Sequence, residues 1–121
     1  MHGLETVEIK AFVPAQDYAL SQAFYRELGF EEGWSDSDLT YFRRGPTSFL
    51  LQNFYVKELA ANFMMHLLVA DVDAWWAHVQ ASGIVERYGV RSVPPQDQPW
   101  RMRDFALTDP SGVLWRVAQN L

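Results

Sequence analysis

One pattern of strands and a helix occurs twice along this chain, and the repeat constrains the fold more than any other feature. Two amphipathic segments each begin with an acidic residue and end with a glycine, from Asp17 to Gly29 and from Asp71 to Gly83. Asp is a favoured N-cap and Gly the usual residue after a helix, and apolar residues recur at helical spacing within both segments. We therefore predict two helices, each preceded by one strand and followed by three, which is the unit βαβββ in tandem.

The predicted strands are apolar runs bounded by turn residues. They cover residues 6–13, 31–35, 39–44 and 47–54 in the first copy and 63–70, 84–92, 102–108 and 113–119 in the second. We predict an α+β fold in a single domain (1–121), with modules at about residues 5–55 and 62–120 forming one open, cup-like sheet of eight strands. Because an open sheet leaves edges and an apolar concavity that a second copy can cover, we also expect a homodimer.

The second copy contains an insertion. Gly29 is followed 17 positions later by Pro46, whereas 27 positions separate Gly83 from Pro110. The additional residues fall within 88–100, a stretch rich in proline. Proline cannot donate to a strand ladder, so we expect this stretch to be either a long surface loop or the border of an open groove.

Composition excludes several classes of function. The chain has no cysteine, which rules out disulfide scaffolds, cysteine-ligated metals and thiol nucleophiles. Its formal net charge of −5 disfavours nucleic acid and anionic membranes as partners. The first ten residues do not resemble a secretory signal and the apolar runs are too short to span a bilayer, so we expect a cytoplasmic protein. The sequence also contains no hydrolase nucleophile elbow and no phosphate-binding glycine loop.

Two segments resemble the bleomycin resistance branch of the vicinal oxygen chelate superfamily, which also holds glyoxalases and extradiol dioxygenases. The first is FVPAQD at residues 12–17 with AFYRELGF at 23–30, and the second is QPWRMRDFALTDPSG at 98–112. Arg101 and Val113 stand where that branch has glycine and asparagine. A glycine permits close approach of a ligand to the backbone, so Arg101 would obstruct or reshape a groove at this point.

The resemblance implies where a metal would be held in the enzymes of the superfamily, by His, Gln or Glu on the first, fourth, fifth and eighth strands. The matching positions are Lys10, Met64 and Arg116, with Gln52 as the only plausible donor on the fourth strand. Lys and Arg offer a cation no lone pair and repel it. His2, His66 and His78 are too widely spaced to replace them. We therefore expect no metal and no other cofactor, and a binding protein rather than an enzyme.

Strand alternation places a mixed set of side chains in the predicted concavity. They are Glu8, Lys10, Phe12, Met64, His66, Leu68, Leu114 and Arg116. Two interpretations remain open. In the first, the concavity is filled by a salt-bridged plug of Glu8, Lys10 and Arg116. In the second, an acidic group of a ligand binds Lys10 and Arg116, while His66 and aromatic side chains hold the planar part of the ligand.

The resemblance implies a tryptophan that stacks on the flat part of a drug in a groove between two subunits, and Trp100 is its counterpart here. Of the other tryptophans, we expect Trp75 and Trp76 in the core or a dimer contact, Trp115 packed under the helices, and Trp34 on a solvated edge. No catalytic residue is expected. The expected ligand-binding residues are Trp100, Met102, Asp104, His66, Asp38, Tyr41, Phe49 and Arg116.

The implied function is sequestration of a small-molecule antibiotic at a stoichiometric ratio, without metal. Four carboxylates near the predicted opening would favour a cationic aromatic drug, namely Asp36, Asp38, Asp97 and Asp104. Two alternatives remain. In the first, the chain is a metal-dependent lyase, isomerase or oxygenase of the same superfamily whose metal ligands lie at other positions. In the second, the chain has a partner or scaffold role and its own side chains fill the concavity.

Overall fold

The structure, a computed structural model, describes residues 3–121, so His2 lies outside the described residues. The described part forms eight strands and four helices. Their bounds are β1 Phe12–Pro14, α1 Tyr18–Leu28, β2 Glu31–Ser35, β3 Leu39–Arg44, β4 Thr47–Gln52, α2 Lys57–Ala61, β5 Met64–Leu68, α3 Val72–Ser82, α4 Ile84–Tyr88, β6 Ser92–Gln98, β7 Met102–Thr108 and β8 Leu114–Asn120. None of the described helices has the length and apolar character needed to cross a membrane.

The strands form two four-stranded sheets with the same topology. The first sheet has the order β1-β4-β3-β2 and the second has the order β5-β8-β7-β6. In each, the first and last strands of the copy run parallel and the other neighbours run antiparallel. The predicted repeat and the α+β class are confirmed, and the eight strands are divided between two sheets rather than joined in one continuous sheet.

The two predicted helices begin and end where their caps indicate. The carboxylate of Asp17 accepts the backbone N–H of Leu20 at 3.1 Å, and that of Asp71 accepts the N–H of Ala74 at 3.0 Å. These bonds satisfy amide groups that the first turn of a helix leaves without a partner. Both helices pack one face on the core, so the local sequence sets the position of each helix over its sheet.

Both sheets bury their inner faces in one shared core. Phe49 of the first sheet and Trp115 of the second lie 5.2 Å apart between ring centroids, and both are buried. Alternation along the strands then directs the remaining side chains away from this core. We call the exposed side of each sheet its outer face. Because the inner faces share a core, the two outer faces of one chain point away from each other.

A buried hydrogen-bonded network joins the two halves within this core. The Tyr25 hydroxyl donates to Asp109 Oδ2 at 2.5 Å and accepts from Trp115 Nε1 at 2.9 Å. Asp109 Oδ1 accepts the backbone N–H groups of Ser111 and Val113. Burial raises the pKa of both the Tyr25 hydroxyl and the Asp109 carboxyl. The Asp-Pro-x-Gly turn of the second copy therefore has a structural role here.

The predicted strand at residues 84–92 is wrong, because its first half is the helix α4. Gly83 and Gly89, both at positive φ, bracket this short helix, and Ile84 is fully buried in the core. The proline-rich stretch then supplies β6 instead of a loop. Pro94 and Pro95 are tolerated there because β6 is an edge strand whose register shifts between Val93 and Gln96.

The first strand is shorter than predicted. Phe12 pairs with Leu50 in parallel register, so Ile9 would lie opposite Thr47, where β4 begins, and earlier residues have no neighbouring strand. Val7 and Ile9 are 99% and 94% exposed. Residues 4–11 therefore have the alternating sequence pattern of a strand, but they are not assigned to a strand in the structure.

Candidate ligand-binding site

A cavity of about 250 Å³ opens on the outer face of the second sheet. Strands β6, β7 and β8 bring its walls together through the ladder pairs Gln96 with Asp104 and Ala106 with Arg116. The lining residues are Val93, Gln96, Gln98, Trp100, Asp104, Phe105, Ala106 and Arg116. Three of the predicted binding residues, Trp100, Asp104 and Arg116, therefore meet in one cavity.

Trp100 lies in the tight turn between β6 and β7. The turn is closed by the Arg101 N–H, which donates to the carbonyl of Gln98 at 3.2 Å, and the indole of Trp100 is 57% exposed. Arg101 has φ of 63°, a conformation that suits glycine. Its side chain is not among the residues that line the cavity, so the expected obstruction by Arg101 is not found.

A buried carboxylate lies at the floor of the cavity. Asp104 is only 3% exposed, and its Oδ1 accepts a hydrogen bond from Gln98 Nε2 at 3.0 Å. The Arg116 guanidinium lies 3.6 Å from Asp104 Oδ2, while the Arg116 side chain remains 37% exposed. The prediction that Arg116 pairs with Glu8 is therefore wrong, because the register of β7 and β8 gives Arg116 a carboxylate on its own sheet.

His66 and Met102 border this cavity on the same outer face. His66 is the ladder partner of Arg116 on β5, and Met102 is the ladder partner of Gln98. His66 is exposed, and Met102 is partly buried. The predicted orientation of His66 is confirmed, and the contact of His66 and Met102 with a ligand remains a prediction.

Tyr41 belongs to a second polar cluster, on the outer face of the first sheet. Its hydroxyl donates to Glu8 Oε2 at 2.8 Å, and Ser48 donates to the same carboxylate. Lys10 Nζ lies 3.0 Å from Glu8 Oε1 and 5.5 Å from the centroid of the Tyr41 ring. The hydrogen bonds from Ser48, Tyr41 and Lys10 lower the pKa of Glu8 to about 2. The predicted Glu8–Lys10 ion pair is confirmed.

Trp34 also lies on this outer face, and the sequence analysis placed it on a solvated edge instead of in a site. Its ring stacks on Tyr41 with centroids 6.2 Å apart and planes 18° from parallel. The bulge between Glu32 and Trp34 has a glycine, Gly33, at its centre. The absence of a side chain at Gly33 leaves room for the Tyr41 ring, because a Cβ there would lie 2.5 Å from it. A glycine beside a strand tryptophan was the available signal for this aromatic platform, which we define as Trp34 and Tyr41.

Phe49 and Asp38 do not belong to the cavity. Phe49 pairs with Phe42 in the ladder, and both rings are buried on the inner face, so the prediction that Phe49 contacts a ligand is wrong. Asp38 lies in the turn between β2 and β3, where its carbonyl accepts the N–H of Asn53 at 2.8 Å. Its side chain is exposed on the first half of the chain, away from the Trp100 cavity.

The predicted acidic opening is also wrong, because Asp38 lies away from the cavity and the other three carboxylates already have partners. Asp36 accepts the backbone N–H groups of Asp38 and Leu39, which lower its pKa. Asp97 accepts a hydrogen bond from Arg103 at 3.1 Å. Asp104 pairs with Gln98 and Arg116 as described above. The contacts of Asp36 are local to its turn, whereas those of Asp97 and Asp104 depend on ladder register, which the sequence alone did not provide.

The residues at the superfamily's metal positions do not fit a divalent cation. Lys10 and Gln52 belong to the first half of the chain, whereas Met64 and Arg116 are on the second sheet. Ammonium and guanidinium groups repel a metal ion, and methionine is a soft ligand. Within residues 3–121, no three His, Asp or Glu side chains come together in a group that could hold a metal.

A further cavity of about 240 Å³ lies between α1 and α3, but its polar side chains have structural partners. Arg44 Nη1 donates to the carbonyl of Gly29, and the Arg44 guanidinium lies over the ring of Trp75. His78 Nε2 lies within 3.2 Å of the carbonyl oxygens of Glu27 and Leu28. These contacts satisfy carbonyl groups at the C-terminal end of α1 and tie the two halves together.

Comparison with known proteins agrees with this geometry. Residues 7–117 match the family described as the glyoxalase/bleomycin resistance protein/dioxygenase superfamily. A bleomycin resistance protein of Klebsiella pneumoniae is 30% identical over 114 residues, covering 89% of this chain and 88% of that protein. A bleomycin-binding protein solved in complex with bleomycin has a TM-score of 0.82 and 28% identity, covering 96% of this chain and 100% of that chain.

A bleomycin resistance determinant encoded on a transposon is also similar in structure, with a TM-score of 0.79 and 25% identity over 95% of this chain and 98% of that chain. The repeat, the paired sheets and the family match agree with one another. The chain is a member of the glyoxalase/bleomycin resistance protein/dioxygenase superfamily.

Proposed function

We propose that this protein binds the planar aromatic part of an antibiotic of the bleomycin type and sequesters the drug at one molecule per chain, without a metal. The observation that carries the proposal is the exposed indole of Trp100 beside a cavity whose floor is the buried Asp104, which Gln98 and Arg116 hold in place. Stacking on an aromatic ring contributes about 0.5–1.5 kcal/mol beyond the area buried. The geometry supports binding, and it offers no paired acid and base for catalysis at the cavity.

The groove is completed in this proposal by a second copy of the chain. Each outer face exposes large apolar side chains, which monomeric proteins rarely leave uncovered in a patch. They are Phe12 and Trp34 on the first sheet and Met64, Leu68, Val93 and Trp100 on the second. Because the outer faces of one chain point away from each other, a cup made of both sheets requires two chains. A twofold dimer would form two such cups, each with Trp100 from one protomer facing Trp34 and Tyr41 from its partner.

The similar proteins support the ligand class. One is named for bleomycin resistance and another was solved with bleomycin bound. We extend the ligand class to this chain, and we place its action in the cytoplasm, where a drug directed at DNA has to be intercepted. An aromatic drug held between Trp100 and the platform of Trp34 and Tyr41 is withheld from its target without any bond being made or broken.

Titration of tryptophan fluorescence with metal-free bleomycin tests this proposal. Saturable quenching at one drug per chain is expected, with Trp100→Ala weakening binding by at least about tenfold, or about 1.4 kcal/mol. Trp100→Phe keeps a planar ring and retains most of the affinity. Trp76→Phe, in which the lost indole packs on Phe105 in the core, is the matched control and binds normally. Equal affinity of Trp100→Ala and the unmodified protein would contradict the proposal.

A further inference from the structure

We infer that the Trp100 cavity selects a ligand whose planar ring carries an anionic or hydrogen-bond-accepting group, held by Arg116. The inference rests on the proposed function, since it assumes that Trp100 binds the ring. It reverses the preference for a cationic drug that the acidic composition of the chain suggests.

The order of charges in the cavity is the first argument. Asp104 is buried beneath the surface, with Gln98 donating to one of its oxygens. Arg116 lies above it with more than a third of its side chain exposed. A ligand in the cavity therefore meets mainly the guanidinium, because the Arg116 side chain is 37% exposed and that of Asp104, at the floor, only 4%.

The second argument is that the guanidinium has donors left. Its Nη1 lies 3.6 Å from Asp104 Oδ2, which is an ion-pair contact and too long for a good hydrogen bond. In the part of the chain that the structure describes, no acceptor takes a hydrogen bond from Arg116. A guanidinium presents several N–H groups in one plane, a geometry that matches a carboxylate or two adjacent oxygen acceptors.

The third argument comes from the other polar groups on this face. His66 lies next to Arg116 in the ladder, and the remaining polar side chains that line the cavity, Gln96 and Gln98, are neutral. Asp97 lies between Gln96 and Gln98 on β6, so its side chain points to the other face of the strand, where it accepts a hydrogen bond from Arg103. Apart from the buried Asp104 at its floor, the cavity is therefore a local exception to the net negative charge of the protein, with one exposed cation beside neutral polar groups.

The part of the groove that one chain supplies admits a small ring system. A volume of about 250 Å³ lies just below the usual range for drug-sized ligands, about 300–1,000 Å³. A two-ring aromatic acid can stack on Trp100 and reach Arg116 within this space. The ligand class is thus a planar aromatic molecule bearing a carboxylate, a phenolate or adjacent carbonyl oxygens.

Three probes with the same ring and different charge test the inference: 2-naphthoate, 2-naphthamide and 2-naphthylmethylammonium, titrated by calorimetry at neutral pH and low salt. We expect naphthoate to bind at least fivefold more tightly than the amide and the ammonium compound to bind most weakly. Arg116→Gln removes the advantage of naphthoate over the amide. Because that variant leaves Asp104 without its cation, the double variant Asp104→Asn with Arg116→Gln is measured as well and gives the same loss.

Arg103→Gln serves as the charge-matched control, since Arg103 bonds Asp73 and Asp97 instead of lining the cavity, and its ratio of naphthoate to amide affinity stays unchanged. Equal or tighter binding of the ammonium probe to the unmodified protein would overturn the inference, as would a ratio unaffected in both Arg116 variants. Bleomycin binding that depends on Trp100, without any preference for naphthoate, would overturn the inference and leave the proposed function standing. Failure of bleomycin and all three probes to bind would overturn both.

Discussion

At the scale of single residues, Arg101 takes a backbone conformation that L side chains rarely adopt. Its φ is 63°, its N–H closes the turn on Gln98, and its carbonyl accepts the N–H of Leu121. A left-handed residue with a Cβ costs about 1 kcal/mol relative to glycine. We therefore predict that Arg101→Gly is more stable than Arg101→Ala by about that amount in urea unfolding. Both variants lose the same charge, so an alanine variant as stable as the glycine variant would refute the explanation.

Tyr25 provides a second test at this scale, through its hydrogen bonds with Asp109 and Trp115. Tyr25→Phe leaves Asp109 Oδ2 and Trp115 Nε1 without a partner, which should lower the free energy of unfolding by about 1–3 kcal/mol. Burial raises the pKa of Asp109, and the bond from Tyr25 partly opposes that rise. Tyr25→Phe therefore raises the pKa of Asp109 in the folded protein further. A carboxyl whose pKa is raised by folding stabilises the folded protein at low pH, and this stabilisation is lost as the pH rises through the folded-state pKa.

The penalty of Tyr25→Phe should therefore be larger at pH 7 than in acid, where the unfolded carboxyl is also protonated. Thermal unfolding between pH 3 and 7 measures this, with Tyr18→Phe as a control because the Tyr18 hydroxyl bonds Thr40 and the carbonyl of Asp36 instead. A Tyr25→Phe penalty that does not change with pH would contradict the account.

Glu8 has a depressed pKa of about 2 because Ser48, Tyr41 and Lys10 all donate to it. Its folded-state stabilisation is present above its ordinary pKa of 4.5 and is lost as pH falls towards 2. Tyr41→Phe removes one donor, so we expect the Glu8 titration midpoint followed by NMR to rise. An unchanged midpoint would show that the cluster does not form in solution.

At the scale of elements, caps and turns were predictable and tertiary effects were not. The residue pairs Asp17 with Gly29 and Asp71 with Gly83 define both long helices through contacts within a few residues, so α1 and α3 were predicted correctly. The segment at 84–92 was assigned to the wrong element because Gly83 and Gly89 bound a short helix there and Ile84 packs in the core from it, against the strand preference of the local composition.

The β2 strand offers a prediction about the aromatic platform. Gly33→Ala places a Cβ about 2.5 Å from the Tyr41 ring, which must tilt away from Trp34. Such overpacking should cost about 1–3 kcal/mol of stability. In the background of Tyr41→Ala the same change should cost much less, which a double-mutant cycle of urea unfolding measures. A penalty that is equal in both backgrounds would place its cause in the bulge of the backbone instead of the ring.

At the scale of the whole molecule, the site was only partly predictable. Trp100, Asp104 and Arg116 were identified from a motif and from strand alternation, and the cavity brings them together. Phe49 was misplaced although it lies three positions from Gln52, a spacing that puts the two on opposite faces of β4. The partners of Asp97 and Asp104 depend on the ladders among β6, β7 and β8, which are contacts between strands that no local pattern specifies.

The dimer is tested by light scattering at micromolar concentration, where we expect a mass of about twice 14.0 kDa. Leu68→Glu places a charge on the exposed outer face of the second sheet and should shift the protein towards the monomer. Leu59, on the short helix α2, is at least as exposed as Leu68, and Leu59→Glu should leave the dimer intact. A monomer for the unmodified protein at tens of micromolar would remove the groove between subunits.

Sequestration itself is tested most directly by protection of plasmid DNA from cleavage by bleomycin, with the protein added at increasing ratios to a fixed amount of drug. The account predicts protection that rises linearly and is complete near one chain per drug. The drug should then be recovered chemically unchanged from the denatured protein, and Trp100→Ala should give little protection. Complete protection by far less than one chain per drug, together with a modified drug, would contradict sequestration and show that the protein is an enzyme.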